Sequence, residues 1–417
     1  MEISRDLYLN KLIRKKHNGL IKVITGIRRC GKSYLLNSLF KNHLINSGVQ
    51  ESHIIEMAFD NIINKKYREP MALYNYVLEK IVDDEMYYVL LDEVQLVKEF
   101  EDVLNGFLHI KNVDVYVTGS NAKFLSKDII TEFRGRGDEI HMHPLSFKEF
   151  FSVYNGSRED AWKEYVQFGG LPKILNFVDN EDKIQFLKDL FKETYINDII
   201  ERNSIKNIDE LEELINILSS SIGSLTNPHK LSDTFKSVKN VSIKSETLSN
   251  YIDYLTDAFI IDKATRYDIK GKKYIDSPFK YYFEDMGLRN ARINFRQLEE
   301  THIMENIIFN ELKIRGFNVD VGVLSYNSKN KLGVSVKTYL EVDFVCNKAD
   351  KRYYIQSALT LPTKEKLDQE QNSLLKITDS FKKIIVVKDS ISTYYNEDGV
   401  LIMNLFDFLL NENSLDY

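Results

Sequence analysis

A glycine-rich segment near the start of the chain has the residue types and the spacing that bind phosphate groups. Its sequence is Gly26-Ile27-Arg28-Arg29-Cys30-Gly31-Lys32-Ser33. The glycines let consecutive backbone N–H groups surround phosphate oxygens, and the N-terminus of the helical pattern that follows adds a positive dipole. In this pattern Lys32 reaches the β- and γ-phosphates of a nucleoside triphosphate, and Ser33 supplies a hydroxyl to Mg²⁺. The segment therefore predicts a site for ATP and Mg²⁺.

An apolar segment that ends in two acids supplies the partner for this loop. Residues 87–91 are apolar (YYVLL), and Asp92 and Glu93 follow them. We expect a buried strand beside the phosphate loop, with Asp92 holding Mg²⁺ through its water shell. Glu93 then orients or deprotonates the water that attacks the γ-phosphate. Together the loop and the two acids predict ATP hydrolysis.

Further polar residues lie near the next two strand-like segments. After 113–118, Asn121 or Thr118 is positioned to sense the γ-phosphate; a capping turn before the next helix is the alternative. Arg134 and Arg136 precede the following segment. An arginine there reaches the nucleotide of a neighbouring subunit in a homo-oligomer and stabilises charge during phosphoryl transfer. Its alternative role is to keep the surface charged and soluble.

The elements that must position these residues alternate between β-branched runs and helical patterns throughout 1–150. This alternation predicts a doubly wound α/β layer with a parallel sheet. The predicted strands are 21–25, 53–59, 87–92, 113–118 and 139–143. Residues 151–218 are helical in pattern and are interpreted as a lid. Residues 219–296 and 297–417 complete a prediction of four domains.

The segment 219–296 has the pattern of a winged helix. Helical patterns at 230–238 and 244–259 are followed by two strand-like segments joined by a basic turn. The second helix of such a domain enters a DNA groove while the turn meets phosphates, although Asp253 and Asp257 lie on that helix. The lysines predicted to meet DNA are Lys244, Lys270, Lys272 and Lys273. A plain packing module is the alternative.

In the last segment, Glu305 lies on a predicted helix, Glu341 and Asp343 on one strand, and Gln356 on the next. This arrangement resembles the restriction-endonuclease-like core. With a strand period of two, Glu341 and Asp343 share a face while Val342 and Phe344 are buried on the other. In such a core a helix Glu, a strand Asp and a Glu/Gln-x-Lys converge on a divalent metal that activates water. Glu305, Asp343 and Gln356 are thus the predicted second metal site.

The cation of that core is missing from its usual strand. The lysine position is Ala358, and the nearest replacements are Lys364 and Lys366 on the following helix. Because the lysine stabilises charge at the phosphate, we expect a degenerate site, and an active nuclease is the alternative.

Sequence motifs along nearly the whole chain resemble one family. They are GIRRCGKS, LLDEVQ, VTGSNAKFLS, FRGRG, HPLSFKEF, GGLP (169–172), KGKKYIDSPFKYYFEDMGLRN and EVDFV. The chain resembles the AAA+-type ATPases of bacteria and archaea that carry a C-terminal domain of unknown function. The resemblance implies an AAA+-like P-loop fold in which Lys32 and Ser33 bind nucleotide and Mg²⁺. It also implies an acidic pair, Asp92 and Glu93, and an arginine finger acting on a neighbouring subunit at Arg134 or Arg136.

Composition excludes several classes of protein. Hydrophobic residues at 43% and charged residues at 28% of 417 residues are globular values. No apolar stretch approaches the roughly 18–20 residues of a membrane helix, and the two cysteines lie far apart, so we expect a cytoplasmic protein. The net charge of −6 gives no general attraction to nucleic acid, but 221–296 holds thirteen Lys/Arg against nine acids.

Three functions are compatible with these patterns. The first is an Mg²⁺-dependent ATPase that couples hydrolysis to DNA engagement. The second is an ATP-gated, metal-dependent nuclease, and the third is a slow nucleotide-dependent assembly switch acting on a protein partner.

Overall fold

The computed structural model of the protein describes residues 3–119, 135–239, 241–296, 299–329 and 335–417. The chain forms two units. The first comprises Met1–Leu145, Leu171–Lys173 and Asp257–Phe259, and the second comprises Ser146–Gly170, Ile174–Thr256 and Ile260–Tyr417.

Five parallel strands form the sheet of the first unit. They are β1 (Ile21–Thr25), β2 (Ile54–Ala58), β3 (Tyr87–Asp92), β4 (Val113–Thr118) and β5 (Gly137–His141). Their order is β2-β3-β4-β1-β5, with every neighbouring pair parallel. The predicted parallel sheet is confirmed, and β1, β3 and β4 have the predicted bounds. Strand β4 pairs with both β1 and β3 and lies between them. The end of the buried strand β3 still lies beside the phosphate loop, as expected, because the Ser33 hydroxyl donates to Asp92 at 3.0 Å.

The helices of this unit cover the sheet. They are α1 (Asp6–Arg14), α2 (Lys32–Tyr34), a π-helical stretch (Leu35–Phe40), α3 (Lys41–Asn46), α4 (Pro70–Lys80) and α5 (Phe100–Phe107), with 3₁₀ turns at Glu51–His53, Ile62–Arg68 and Val94–Leu96. Apolar side chains of α4 and α5 pack with those of the strands in one buried cluster. Because all five strands are parallel, their carboxyl ends meet at one edge of the sheet.

The second unit begins with helices. They are α6 (Phe147–Ser152), α7 (Arg158–Phe168), α8 (Asn180–Asp189), a π-helical stretch (Leu190–Ile196), α9 (Asn197–Asn203) and α10 (Ile208–Ser220), with a 3₁₀ turn at Pro172–Asn176. Most residues of the predicted lid, 151–218, therefore belong to the second unit.

Two helices and a hairpin follow. They are α11 (Pro228–Lys239), α12 (Ser245–Asp257), β6 (Ile261–Asp268) and β7 (Lys273–Phe283). Thr226, which precedes α11, exchanges backbone hydrogen bonds of 2.8 and 2.9 Å with Phe279 of β7. The hairpin therefore has a short extra strand residue on its β7 side.

The hairpin belongs to an eight-stranded sheet. Its other strands are β8 (Asn318–Lys329), β9 (Ser335–Lys348), β10 (Lys351–Ala358), β11 (Lys382–Val387), β12 (Tyr394–Tyr395) and β13 (Leu401–Asn404). The order is β12-β13-β11-β10-β9-β8-β6-β7, and β6 runs parallel to β8. One sheet thus crosses the domain boundary predicted between 296 and 297, because β6 pairs on one edge with β7 and on the other with β8.

The helices that accompany this sheet are α13 (Met286–Arg292), α14 (Glu300–Ile314), α15 (Lys364–Leu375) and α16 (Leu405–Leu410), with a last 3₁₀ turn at Ser414–Asp416. From residue 297 the sequence pattern predicts a helix, strands around 319–324, 338–346 and 352–359, a helix and a strand at 383–388, and α14, β8, β9, β10, α15 and β11 follow this order. The strands β12 and β13 add to what the sequence pattern indicates.

A buried carboxylate explains the glycine pair of the GGLP motif. Gly169 has φ +76°, and a Cβ on it would lie 2.3 Å from Oδ1 of Asp285. The Asp285 carboxylate accepts the backbone N–H of Gly170 at 2.7 Å and that of Leu288 at 3.0 Å. Any side chain at 169 would displace this acid.

Across the described ranges, no helix combines the length and the apolar character that a membrane crossing requires.

Candidate nucleotide-binding site

The phosphate loop makes a tight turn between β1 and α2. Gly26 has φ +136°, and a Cβ on it would lie 2.1 Å from the carbonyl oxygen of Met142, so only glycine fits. Gly31 and Arg29 also have positive φ, at 105° and 64°. The turn leads directly into the helix that begins at Lys32.

Lys32 lies within this loop, and its side chain has neutral partners. The residue is 4% exposed. Its ammonium donates hydrogen bonds of 2.9 Å to the carbonyl oxygens of Gly26 and Ile27. Among the described residues, no carboxylate forms an ion pair with Lys32. Its charge is thus available to an anion that enters the loop.

Ser33, Asp92 and Thr118 meet at the carboxyl edge of the sheet. The Ser33 hydroxyl donates to Oδ1 of Asp92 at 3.0 Å, and the Thr118 hydroxyl donates to the same oxygen. Burial raises the pKa of Asp92, and the two hydroxyl hydrogen bonds act in the opposite direction. Hydroxyl and carboxylate oxygens are the ligands that Mg²⁺ prefers. The donor set therefore fits Mg²⁺, and Ser33 and Asp92 are the residues that would hold it.

Glu93 follows Asp92 in a strained backbone conformation. Its φ is 55°, in the left-handed region that residues with a side chain seldom adopt. Its backbone N–H donates to the Thr118 hydroxyl at 3.1 Å, and its carboxylate accepts a hydrogen bond from the Gln95 amide. Such strain persists where neighbouring contacts impose it, often at functional sites.

Thr118 is central to this arrangement, although the sequence offered it only as the alternative to Asn121. Its hydroxyl contacts both acids because β4 ends between the phosphate loop and β3. Asn121 lies outside the described residues, and so does Arg134. The signal that could have selected Thr118 is its position as the last residue of a fully buried strand.

Arg136 lies at the opposite edge of the sheet. It directly precedes β5, and its carbonyl oxygen accepts the N–H of Ile21 at 2.9 Å. The paired strands β1 and β5 run from this point to the phosphate loop. At about 3.3 Å per residue, five residues separate the two edges by roughly 16 Å. The exposed Arg136 guanidinium donates to Asn105 at 3.4 Å, away from the phosphate loop of its own subunit.

Arg5 forms hydrogen bonds to the phosphate loop, and the sequence analysis did not identify it. It is 2% exposed, and its guanidinium donates to the carbonyl oxygens of His143 at 2.6 Å and Cys30 at 3.2 Å. These bonds join the loop to the segment after β5. A single arginine before the first helix carries no pattern that predicts this contact. Cys30 is itself fully buried.

The structure also brings together the predicted second metal site. Asp343 accepts the Ser357 backbone N–H at 2.8 Å and hydroxyl at 3.1 Å, and its own N–H donates to Oε1 of Gln356 at 3.3 Å. Glu305 accepts a 2.8 Å hydrogen bond from Lys280 of β7, and Glu341 forms a 2.8 Å ion pair with the same lysine. Lys280 was missed because it lies in a different predicted domain.

The expectation that Val342 and Phe344 are buried on one face is wrong. Val342 packs in the apolar cluster that contains Tyr354, whereas Phe344 lies 6.1 Å from the Tyr282 ring and 6.4 Å from the Phe309 ring, in another cluster. The two residues do not share a face, because the β8–β9 register shifts opposite them in a bulge.

The replacement lysines named for Ala358 do not serve as such. Lys366 pairs with Glu370 of its own helix at 2.5 Å, and Lys364 is exposed. Ala358 itself packs in the apolar cluster. The cation near the acids is Lys280.

The predicted DNA-contacting lysines lie on the surface. Lys244 directly precedes α12, Lys270 and Lys272 lie in the turn between β6 and β7, and Lys273 begins β7. All four are exposed, and none forms an ion pair with another described residue.

Known proteins resemble this chain over most of its length. Residues 18–151 match the family described as an AAA domain, and residues 159–299 match a domain of unknown function. An uncharacterized protein of Haemophilus influenzae is 34% identical over 98% of both chains. An uncharacterized protein of Methanocaldococcus jannaschii is 31% identical over 82% of this chain and 74% of its own.

A solved structure resembles it at the level of fold. The Walker-type ATPase of Pyrococcus abyssi is 15% identical, with a TM-score of 0.50, over 70% of this chain and 96% of its own. That similarity supports the P-loop fold alone.

Proposed function

We propose that this chain, which belongs to the family of AAA+-type P-loop ATPases with a C-terminal domain of unknown function, binds ATP with Mg²⁺ and hydrolyses it. The observation that carries the proposal is the meeting of Lys32, Ser33 and Asp92 at the carboxyl edge of one sheet. There the lysine and the acid each have only neutral hydrogen-bond partners among the described residues.

Each residue has a definite task in this reaction. Lys32 leaves its two loop carbonyls and neutralises the β- and γ-phosphate oxygens. When bound at Ser33 and Asp92, Mg²⁺ adds positive charge against the phosphates. Glu93 holds the attacking water and takes its proton while the water oxygen bonds to the γ-phosphorus. The bond from that phosphorus to the β-phosphate oxygen breaks, and ADP and phosphate leave.

The test is steady-state ATP hydrolysis together with nucleotide binding. Glu93→Gln should retain binding and abolish turnover, whereas Lys32→Ala should weaken both. Lys111→Ala, an exposed lysine of the same unit, is the matched control and should behave as wild type. Normal hydrolysis by Glu93→Gln would remove Glu93 from this role.

We propose further that an arginine acts on a neighbouring subunit of a homo-oligomer. The distance between Arg136 and the phosphate loop of its own sheet supports an action in trans, and Arg134 is the other candidate. Inactive Arg136→Ala or Arg134→Ala subunits should regain activity when mixed with Lys32→Ala subunits, because one mixed interface then has both residues. A strictly monomeric active enzyme would exclude this role.

We propose DNA as the partner that the ATPase engages, through a winged helix at 219–296. The order of α10, Thr226, α11, α12, β6 and β7 supports this domain type, since the extra strand residue pairs with the second hairpin strand. The exposed lysines and the local charge of +4 support contact with phosphates.

The test is ATP hydrolysis with and without double- and single-stranded DNA at two salt concentrations. Stimulation should fade as salt rises, since phosphate contacts release counterions. It should also weaken when Lys270, Lys272 and Lys273 are changed to Ala. Hydrolysis indifferent to both DNA types would favour a protein partner and a nucleotide-set assembly switch.

A further inference from the structure

A lysine lies at the centre of the acidic cluster in the eight-stranded unit. The Lys280 ammonium is 2.8 Å from Oε1 of Glu305 and 2.8 Å from Oε1 of Glu341. The side chains of Lys280 and Glu305 are 5% and 9% exposed, and that of Glu341 is 35% exposed. The cluster is therefore closed on two sides and open to solvent along Glu341.

Strand β7 supplies this lysine together with a phenol. Residues two apart on a strand project to the same face, and Lys280 and Tyr282 both bond to Glu305. The Tyr282 hydroxyl donates to Oε1 at 2.6 Å, the same oxygen that accepts from Lys280. Tyr282 is fully buried and stacks on Phe309, which is one helical turn from Glu305 in α14. The lysine is thus held in place by packing as well as by charge.

With Lys280 between the acids, the donor set does not fit a divalent metal. A metal needs several oxygens that converge on one point, at about 2.0–2.6 Å from it. In the described part of the chain, the carboxylate oxygens of Glu305, Glu341 and Asp343 do not all lie within 4.8 Å of one another. Gln356 is also turned away, since its carbonyl oxygen accepts the backbone N–H of Asp343.

We propose that Lys280 is the resident cation of this cluster and holds the place that a divalent metal takes in a restriction-endonuclease-like core. The cluster then binds no catalytic metal, and the second unit does not cleave DNA. Removing Lys280 leaves three acids around an unfilled position. The ammonium therefore conceals a latent divalent-cation site.

Electrostatics agree with this geometry. Burial by itself lowers the pKa of Lys280, but Glu305, Asp343 and Glu341 outweigh it, so the pKa lies above the usual range for lysine. The ammonium is charged at every physiological pH. It neutralises acids that would otherwise repel one another in a buried setting.

The experiment is titration of the full chain with Mn²⁺ in the absence of nucleotide, with free Mn²⁺ measured by electron paramagnetic resonance. Wild type and Glu341→Gln should bind Mn²⁺ equally, because no site depends on the cluster. Lys280→Ala should gain one Mn²⁺ per chain, at least tenfold tighter than any site in wild type. The double variant Lys280→Ala/Asp343→Asn should lose that gain.

Several outcomes would overturn the proposal. Wild-type binding that Glu341→Gln abolishes would mean that the cluster already holds metal. So would metal-dependent DNA cleavage that Asp343→Ala removes. A folded Lys280→Ala that gains no Mn²⁺ would show that the lysine conceals nothing. Circular dichroism reports folding, and Lys280→Met keeps more of the buried volume if Lys280→Ala fails to fold.

If neither Lys280 variant folds, the comparison of wild type with Glu341→Gln still decides the question, since Glu341 is one-third exposed and needs no repacking. None of these measurements uses ATP hydrolysis, so their result does not depend on whether the first unit is an ATPase.

Discussion

Lys32 of the first unit and Lys280 of the second unit are both buried, and their side chains have opposite kinds of partner. In the first unit, Lys32 bonds to backbone carbonyls, and Asp92 bonds to hydroxyls. In the second unit, Lys280 bonds directly to Glu305 and Glu341. Both lysines are buried to a similar degree, at 4% exposed. Burial alone therefore does not distinguish them; the charge of the partners does.

The difference indicates which site is prepared for a charged ligand. A lysine and an acid held by neutral partners lose little when an anion and a metal replace those partners. Lys280 would lose two ion pairs on leaving, and the buried Glu305 carboxylate would be left without compensation. The first arrangement is open to a metal–nucleotide complex, and in the second the acids already have their cation.

The largest expected effect is that Lys32→Ala lowers ATP turnover and not stability, whereas Lys280→Ala lowers stability and not turnover. Lys32→Ala should reduce ATP turnover by about 10²-fold or more, because an electrostatic donor to the phosphates is lost. It should leave the melting temperature of the nucleotide-free protein almost unchanged. Lys280→Ala should keep turnover within about twofold. It should lower the free energy of unfolding of the second unit by about 3–5 kcal/mol, because two carboxylates lose their cation.

Differential scanning calorimetry and a coupled ATPase assay measure both quantities on the same samples. Lys111→Ala and Lys364→Ala, exposed lysines of the first and second units, are the controls. Equal stability losses for Lys32→Ala and Lys280→Ala would contradict the proposed difference between the two lysines.

The next effect is a coupling between Lys280 and Glu305. Lys280→Met leaves Glu305 charged and unpaired, whereas Glu305→Gln keeps an acceptor for Tyr282 without the charge. The double variant should therefore be more stable than the sum of the single losses predicts, by about 2 kcal/mol. Chemical denaturation of all four proteins gives this value, and additive losses would mean that the ion pair contributes nothing of its own.

A buried acid without a lysine gives a smaller, pH-dependent effect. Burial raises the pKa of Asp285 to about 6, from 3.8 for an exposed carboxyl. Between about pH 4 and pH 6 the folded protein therefore keeps a proton that the unfolded chain has released. The free energy of unfolding should fall as pH rises through this window, by about 2 kcal/mol from this group.

Asp285→Asn removes this contribution to the pH dependence of the free energy of unfolding, although it also weakens the hydrogen bonds to Gly170 and Leu288. Melting temperatures at pH 4, 5 and 6 compare it with wild type and with Asp253→Asn, an exposed acid of the same unit. If the melting temperature of Asp285→Asn changes with pH as much as that of wild type, the pH dependence comes from another group.

The smallest expected effect tests the neutral partners of Asp92. Thr118→Val removes the hydroxyl that donates to Asp92 and accepts from the Glu93 N–H. Turnover should fall by about tenfold, roughly 1.4 kcal/mol, with a higher Mg²⁺ concentration needed for half-maximal rate. Thr118→Ser keeps the hydroxyl and should recover most of the rate; equal activity in all three proteins would remove Thr118 from the site.

Local patterns predicted the first unit well. The β-branched runs at 21–25, 87–92 and 113–118 match strands at the same residues, because strands buried on both faces have a strong compositional signal. Strand order was beyond such patterns. It depends on which strand is inserted between two others, and for that reason the sequence did not choose between Asn121 and Thr118.

The second site was predictable only in part. Glu305, Asp343 and Gln356 were found from residue type and element order. Lys280 was not, since it is distant in sequence and lies on a hairpin assigned to another domain. The bulge opposite Val342 and Phe344 was missed as well, because strict alternation cannot register one extra residue in a strand.

The shared sheet has a consequence for how this chain can be divided. Strand β6 pairs with both β7 and β8, so the hairpin forms the last two strands of one continuous hydrogen-bonded layer. A fragment starting at residue 297 would expose β8 along a bare backbone edge and lose the cation of its acidic cluster. Open edges recruit strands from other molecules and favour aggregation. Segments 219–296 and 297–417 should therefore be inherited, expressed and exchanged between relatives only as one piece.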